Sequence, residues 1–203
     1  MPSTALFADT DAIVSHVLPV SGGHVLSVQE FGRPEGQAVL VLHGGPGSGC
    51  SPLLRRVFDP TRWRIVCPDQ RGSGLSRPRG RTMHNTTDDL LTDLHRVRLA
   101  QDIERWVVVG GSWGAALAIA HAAAEPQAVS ALLLRASFLA RPEDVAAFFG
   151  PLDLEVLAAD LASPDSARCE RAALAWWQRE QSLAGTGDSR PSGAALDALV
   201  NRL

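Results

Sequence analysis

The hydrophobic residues in the first two thirds of the chain follow the alternation and the continuous runs that are typical of β-strands. Residues 24–31 alternate between apolar and polar side chains directly after Ser21-Gly22-Gly23, which predicts a strand that leaves a hairpin turn. Continuous apolar runs are instead typical of strands that are buried on both faces of a sheet. Such runs occupy residues 38–42, 63–67, 106–109 and 131–134.

Helical segments lie between these runs. Residues 87–99 repeat apolar side chains at helical spacing, and residues 113–124 are rich in alanine. Strands that alternate with helices predict an α/β fold, with a mainly parallel sheet flanked by helices. After Arg141-Pro142 the pattern changes to one of helix and loop, interrupted by proline and glycine. We therefore expect a sheet domain in residues 1–140 and a helical appendage in residues 141–203.

The composition narrows the possible partners and compartments. The 203 residues are 45% hydrophobic and 20% charged, and the formal net charge is -3, so nothing favours binding to nucleic acid or to an acidic membrane surface. No run approaches the roughly 20 apolar residues of a membrane span, and residues 1–11 do not resemble a signal peptide. Cys50, Cys67 and Cys169 have no metal-ligand spacing, and their odd number and wide separation suit reduced thiols better than a disulfide framework. We expect a cytoplasmic protein without a metal or cofactor, and its oligomeric state is left open.

The most specific motif is Gly110-Gly111-Ser112-Trp113-Gly114, between the run at 106–109 and the alanine-rich helix. A nucleophilic serine needs a sharp turn that projects its hydroxyl from the end of a strand. Flanking glycines let the backbone make that turn and let the strand and the helix approach closely. The backbone N–H of Trp113 would lie at a helix N-terminus, directed at a developing oxyanion. The alternative is an ordinary strand–helix turn, and we favour a nucleophile at Ser112.

A second glycine-rich loop, His43-Gly44-Gly45-Pro46-Gly47, follows the run at 38–42. At this place in such a fold the loop can supply the second oxyanion N–H group, because glycine leaves the amide unshielded. The alternatives are a plain strand–helix turn or a phosphate-binding loop, and the latter lacks the Lys-Ser/Thr that should follow it. We expect His43 to form a structural hydrogen bond rather than to transfer a proton.

A third loop, Cys67-Pro68-Asp69-Gln70-Arg71-Gly72-Ser73-Gly74-Leu75-Ser76, follows the run at 63–67. Its glycines and its Asp-x-Arg spacing predict a tight loop that is held by an internal ion pair between Asp69 and Arg71. Because the loop follows a strand of the same sheet, it should border the same pocket as the other two loops. We favour a structural role for it.

Taken together, these three loops and Asn85-Thr86-Thr87 resemble the prolyl aminopeptidases (proline iminopeptidases) of the α/β-hydrolase superfamily, over about residues 15–140. The resemblance implies an α/β-hydrolase fold and a serine aminopeptidase that releases N-terminal proline from peptides through an acyl-enzyme on Ser112. It implies oxyanion donors at Gly44, Gly45 and Trp113. A general esterase or amidase with the same serine turn is the alternative within this fold.

The appendage carries a shorter match to the same family. Trp176-Trp177-Gln178-Arg179-Glu180 is similar to the family's cap helix, in which a glutamate pairs with the free amino group of the substrate. The resemblance implies that role for Glu180, although Arg179 stands where the family pattern has an aromatic residue. An ammonium group needs an anionic partner, and desolvation under a cap strengthens such a pair. The alternative is an exposed Arg-Glu pair on a helix.

The catalytic acid and base that the resemblance implies are not identified in the sequence. In this fold the nucleophile is followed along the chain by an acid and then by a histidine, and no histidine follows His121. His121 lies too far along its predicted helix to reach Ser112. Family chains continue past the cap with further strands that carry the acid and the histidine. We therefore expect a truncated member that begins the helical cap but lacks the last core strands, or a catalytically silent remnant.

Overall fold

The sheet of the protein has the strand order β1-β2-β4-β3-β5-β6 in the computed structural model, which describes residues 6–45 and 47–139. The antiparallel pairs are β1 with β2 and β2 with β4, whereas β4, β3, β5 and β6 pair in parallel. The sheet is therefore mixed at one edge and parallel in its centre, as the sequence predicts. The strands are Val14–Pro19 (β1), Val25–Gly32 (β2), Gln37–Leu42 (β3), Trp63–Pro68 (β4), Trp106–Gly111 (β5) and Val129–Arg135 (β6).

The two longer helices, Thr87–Ala100 (α2) and Trp113–Ala124 (α3), lie where the sequence predicts them. A capping box begins α2: the backbone N–H of Asp89 donates to Thr86 Oγ1 at 3.2 Å, and the Thr86 N–H donates to Asp89 Oδ2 at 3.0 Å. A short helix, Pro52–Arg55 (α1), was not predicted, because four residues are too few to show a helical period. None of the helices in the described part of the chain is long and apolar enough to span a bilayer.

The hydrophobic core lies on both faces of the sheet, and β3 shows the alternation most clearly. Leu40 and Leu42 belong to the cluster that also contains the buried side chains of α2 and α3. Val39 and Val41 belong to the opposite cluster, which contains Leu54 of α1. The continuous apolar run of β3 is therefore explained by burial on both faces.

The apolar run of β6 is more exposed than that of β3. Leu132 is 40% exposed and Leu133 is 48% exposed. Among the described residues β6 pairs with β5 alone and lies at the edge of the sheet, which is the position that the expected loss of the last core strands predicts. Position in the sheet, rather than hydrophobicity, decides the burial of this segment.

The connections of β3 and β5 diverge at the carboxyl ends of these two adjacent strands. The chain leaves β3 toward β4 on one side, whereas it leaves β5 toward β6 on the other. Where neighbouring connections diverge in this way, an open parallel sheet forms a binding crevice. The predicted helical appendage at 141–203, which includes Glu180, lies outside the described residues.

Candidate active site

Ser112 occupies the turn between β5 and α3, in a backbone conformation that non-glycine residues rarely adopt. Its φ is 55° and its ψ is -123°. The turn is held at both ends, since the Ser112 N–H donates to Arg135 O at 3.0 Å and the Ala115 N–H donates to Ser112 O at 2.8 Å. The prediction that the flanking glycines make the turn is wrong in this respect: the positive φ belongs to Ser112 itself and not to Gly111.

The glycines around Ser112 serve the other predicted purpose, the close approach of neighbouring segments. A Cβ atom on Gly110 would lie 2.1 Å from the carbonyl oxygen of Gly114. A Cβ atom on Gly114 would lie 2.3 Å from the carbonyl oxygen of Leu42, at the end of β3. The start of α3 therefore packs directly on β5 and β3, and this packing fixes where Ser112 stands relative to the loop after β3.

The His43-Gly44-Gly45 loop lies against the serine turn, as the sequence predicts. A Cβ atom on Gly44 would be 3.3 Å from Ser112 Cβ and 2.9 Å from the carbonyl oxygen of Gly111. Gly45 has a φ of +113°, which favours glycine. No acceptor within residues 6–45 and 47–139 takes the N–H of Gly44 or of Trp113. Two backbone donors thus belong to the segments that meet at Ser112.

The buried side chain of His43 binds its own loop to the loop after β4. The Gln70 N–H donates to His43 Nε2 at 3.0 Å, so His43 Nδ1 carries the proton and donates to Gly44 O at 2.8 Å. Burial lowers the pKa of His43 below its ordinary value, which keeps the ring neutral. The predicted structural role of His43 is confirmed.

Gln70 contributes a further link that the sequence analysis missed. Its Nε2 donates to the carbonyl oxygen of His43 at 2.9 Å, and its Oε1 accepts a hydrogen bond from Trp113 Nε1 at 3.0 Å. The three loops after β3, β4 and β5 are therefore tied together by one side chain. Only the position of Gln70 at the carboxyl end of β4 could have indicated this role.

The predicted ion pair between Asp69 and Arg71 is wrong, because each side chain has other partners. Asp69 accepts the backbone N–H groups of Cys50 and Leu75, at 2.6 Å and 2.8 Å. Arg71, whose side chain has no exposed surface, forms a bidentate pair with Asp93 of α2 at 2.6 Å and 2.8 Å. The carboxylate of Asp69 is thus satisfied within its own loops, whereas the buried guanidinium attaches this loop to α2.

Five of the six histidines that the structure describes hydrogen-bond to groups other than Ser112, and the sixth, His84, is exposed. Over residues 6–45 and 47–139, no side chain forms a hydrogen bond with Ser112 Oγ. His121 is buried beside β5, where its Nε2 accepts from Trp106 Nε1 at 3.1 Å. Burial lowers the pKa of His121. The other side-chain partners are Glu30 for His16, the Met83 carbonyl for His24 and Glu125 for His95.

Sequence comparison relates this chain to known hydrolases. A family model of the alpha/beta hydrolase fold matches residues 37–188. A probable proline iminopeptidase from Leptolyngbya boryana is 43% identical over 135 residues, which are 66% of this chain and 42% of that protein. A proline iminopeptidase from Arabidopsis thaliana is 43% identical over 144 residues, which are 71% of this chain and 38% of that protein. The chain thus spans less than half the length of these curated relatives.

Solved structures share the fold. An epoxide hydrolase of the alpha/beta hydrolases superfamily, from metagenomes of hot environments, superposes with a TM-score of 0.66 at 19% identity, over 93% of this chain and 69% of that one. A proline iminopeptidase-related protein from Thermus thermophilus gives a TM-score of 0.53 at 27% identity, over 94% of this chain and 73% of that one. The first similarity concerns the fold alone, and the second also extends to sequence.

Proposed function

This chain belongs to the α/β-hydrolase fold family, and from that membership we propose that it carries the nucleophile and the oxyanion hole of a serine hydrolase. The nucleophile is Ser112. The observation that carries the proposal is the φ of 55° at Ser112 with Gly44 packed directly against it. A strained serine between a strand and a helix, beside a glycine-rich loop, suits attack on a carbonyl group.

The proposed reaction is acyl transfer through Ser112. Ser112 Oγ attacks the carbonyl carbon of the scissile amide, and the N–H groups of Gly44, Gly45 and Trp113 stabilise the oxyanion of the tetrahedral intermediate. The amine leaves with a proton, and water then hydrolyses the acyl-enzyme on Ser112. The base that takes the proton of Ser112 Oγ is assigned to none of the described residues, because no side chain among them hydrogen-bonds to that oxygen.

The proposed substrate is a peptide with an N-terminal proline, and the protein is a serine peptidase of the cytoplasm. Support comes from the relatives named proline iminopeptidase, which are 43% identical over 135 and 144 residues. Glu180 is the proposed partner of the secondary ammonium of that proline, since an anionic side chain would pair with it. Cys50 and Cys67 are free thiols, which suits a reducing compartment. We propose neither a nucleic-acid nor a membrane partner.

A second candidate is a chain without catalytic activity, which binds substrate but does not cleave it. It is favoured by a specific observation, namely that no side chain in the described ranges hydrogen-bonds to Ser112 Oγ. Loss of a triad base typically reduces the rate by several powers of ten. The two candidates differ in turnover, which a single assay measures.

The test is hydrolysis of a prolyl arylamide by the 203-residue chain, compared with an alanyl arylamide and a simple aryl ester. We expect the prolyl amide to have the highest kcat/KM, and Ser112→Ala to abolish its hydrolysis. Ser130→Ala, on the exposed surface of β6, is the matched control and should retain activity. Preference for the ester would favour a general esterase, and no turnover of any substrate would favour the silent chain.

A further inference from the structure

The carboxamide of Gln70 is buried, and both of its ends bind groups beside Ser112. Nε2 donates to the His43 carbonyl at 2.9 Å, while Oε1 accepts from Trp113 Nε1 at 3.0 Å. The orientation of the amide follows from its partners, because an indole N–H can only donate and a carbonyl can only accept. Only 6% of Gln70 is exposed; its bond to the His43 carbonyl is buried, which limits competition from water, and its bond to Trp113 is partly buried.

The bond to His43 fixes the direction of a neighbouring backbone donor. The carbonyl of His43 and the N–H of Gly44 belong to one planar trans peptide, in which the two groups point in opposite directions. Holding the carbonyl toward Gln70 therefore turns the Gly44 N–H away from it. The Nδ1–H of His43 restrains the next peptide in the same way, since it holds the carbonyl of Gly44 at 2.8 Å.

The bond to Trp113 restrains the second donor. Trp113 is the first residue of α3 and directly follows Ser112. Its indole is anchored to Gln70, so the side chain cannot rotate without breaking this partly buried hydrogen bond. The Cα of Trp113, and with it the backbone N–H, is thereby held relative to the loop after β3.

We propose that Gln70 is a positioning residue for the oxyanion hole: one carboxamide sets the distance and the angle between the N–H groups of Gly44 and Trp113. The inference rests on the proposed function of Ser112. Gln70 touches neither substrate nor reacting atoms, and it acts through the two donors that it holds. Preorganised donors stabilise an oxyanion more than mobile ones do, because no reorganisation is needed as the charge develops.

Binding of a tetrahedral boronate tests this without requiring turnover. Pyrrolidine-2-boronic acid forms a B–O bond with Ser112 Oγ, the hydroxyl proton passes to solvent, and the boron becomes a tetrahedral anion in the oxyanion hole. We expect Gln70→Met, which keeps the size of the side chain but removes both bonds, to weaken boronate binding about tenfold. Gln101→Met is the matched control. Gln101 is also a buried glutamine, but it binds Arg64, and its replacement should change boronate affinity less than twofold.

A double-mutant cycle and an NMR measurement separate positioning from general loss of structure. Trp113→Phe removes the indole donor alone. If Gln70 acts partly through Trp113, the double variant should bind boronate more tightly than the product of the two single losses predicts. In ¹H–¹⁵N spectra of the free protein, Gln70→Met should shift the Trp113 indole and the Gly44 amide resonances, whereas Gln101→Met should leave both in place.

The outcomes distinguish this inference from the proposed function. The nucleophile is misassigned if Ser112→Ala binds boronate as tightly as the unmodified chain, or if the unmodified chain does not bind boronate. In either case the NMR shifts still decide the role of Gln70. If Ser112→Ala abolishes binding while Gln70→Met and Gln101→Met behave alike, the positioning role is overturned and the nucleophile stands. Unchanged Gly44 and Trp113 resonances in Gln70→Met would overturn it as well.

Discussion

Ser112 stores backbone strain at the position where the proposed chemistry occurs. Holding a non-glycine residue at φ 55° and ψ -123° costs on the order of 1–3 kcal/mol. This backbone conformation persists only because the surrounding structure holds it. Hydrogen bonds to Arg135 O and from Ala115 N hold both ends of this residue. The strain lifts the side chain out of the strand direction, which is what a nucleophile at the end of β5 requires.

This strain predicts the relative stability of two replacements. Ser112→Gly should raise the free energy of unfolding by about 1 kcal/mol relative to Ser112→Ala, because glycine adopts positive φ without steric cost. Both variants lack the hydroxyl, so the comparison isolates the backbone. Urea unfolding curves of the two proteins measure the difference. Equal urea midpoints of the two variants would show that the backbone at residue 112 is not strained.

Gly110 is required by the packing of β5 on α3 rather than by its backbone angles. Because an added Cβ would lie 2.1 Å from the Gly114 carbonyl oxygen, Gly110→Ala must push the helix away from the strand. We expect a loss of about 3 kcal/mol in the free energy of unfolding. Gly80→Ala, where an added Cβ meets nothing within 4 Å, should cost only about 1 kcal/mol from its positive φ. Similar losses of unfolding free energy in Gly110→Ala and Gly80→Ala, measured by urea denaturation, would contradict the role of Gly110 in packing.

The loop after β4 is attached to α2 through the buried pair of Arg71 and Asp93. Asp93→Ala removes the bidentate partner of the guanidinium and leaves it the longer contact to Asp89, at 3.3 Å, and we expect a loss of about 3 kcal/mol in stability. Arg71→Leu combined with Asp93→Leu should recover most of this loss, since neither charge is then left unpaired in the core. Urea titration of the single and double variants measures both values. A double variant less stable than Asp93→Ala would contradict this view of the pair.

The sequence predicts the helices and strands of this fold better than it predicts the contacts of the buried polar side chains. Periodicity locates β3, β4, β5, α2 and α3, because each has an apolar pattern that its own burial requires. It does not locate α1, which is too short to show a helical period. Asp69 and Arg71 are close in sequence, yet they bind Cys50, Leu75 and Asp93, because buried polar groups take partners that tertiary packing brings near. Gln70 has no sequence signature of its own.

At the scale of the whole molecule, buried histidines make stability depend on pH. Burial lowers the pKa of His43 and His121 in the folded protein. In the unfolded chain the same rings have the ordinary histidine pKa of about 6.5, so they take up protons at a higher pH than they do in the folded protein. The stability that these two neutral histidines contribute should therefore be complete above about pH 6.5. It should be lost as the pH decreases toward their pKa values in the folded protein.

The measurement is urea unfolding at about pH 7.5 and about pH 5.5, on either side of the ordinary histidine pKa. The unmodified protein should be less stable at the lower pH, and His121→Gln should lose less between the two values. Glutamine cannot take up a proton, yet its amide oxygen can still accept from Trp106 Nε1. An identical fall in stability in both proteins would show that His121 does not contribute to the pH dependence of stability.

The architecture of the described residues agrees with the family to which the chain belongs. The predicted α/β fold with a mainly parallel sheet is confirmed by the strand order and by the match of the alpha/beta hydrolase fold to residues 37–188. At the carboxyl ends of β3 and β5 two of the loops that the sequence predicts at the site lie against each other, and Gln70 connects the third. The role of Glu180 stays a prediction, because residues 140–203 lie outside the described part.

The reactivity of Ser112 is the claim on which the proposed function depends most directly. Intact-mass spectrometry after incubation with a fluorophosphonate probe measures it, because the probe phosphonylates an activated serine with loss of fluoride. We predict one adduct per chain, on the peptide that contains Ser112, with labelling retained in Ser130→Ala and abolished in Ser112→Ala. An unlabelled chain, or equal labelling of the Ser112→Ala variant, would contradict the assignment of the nucleophile.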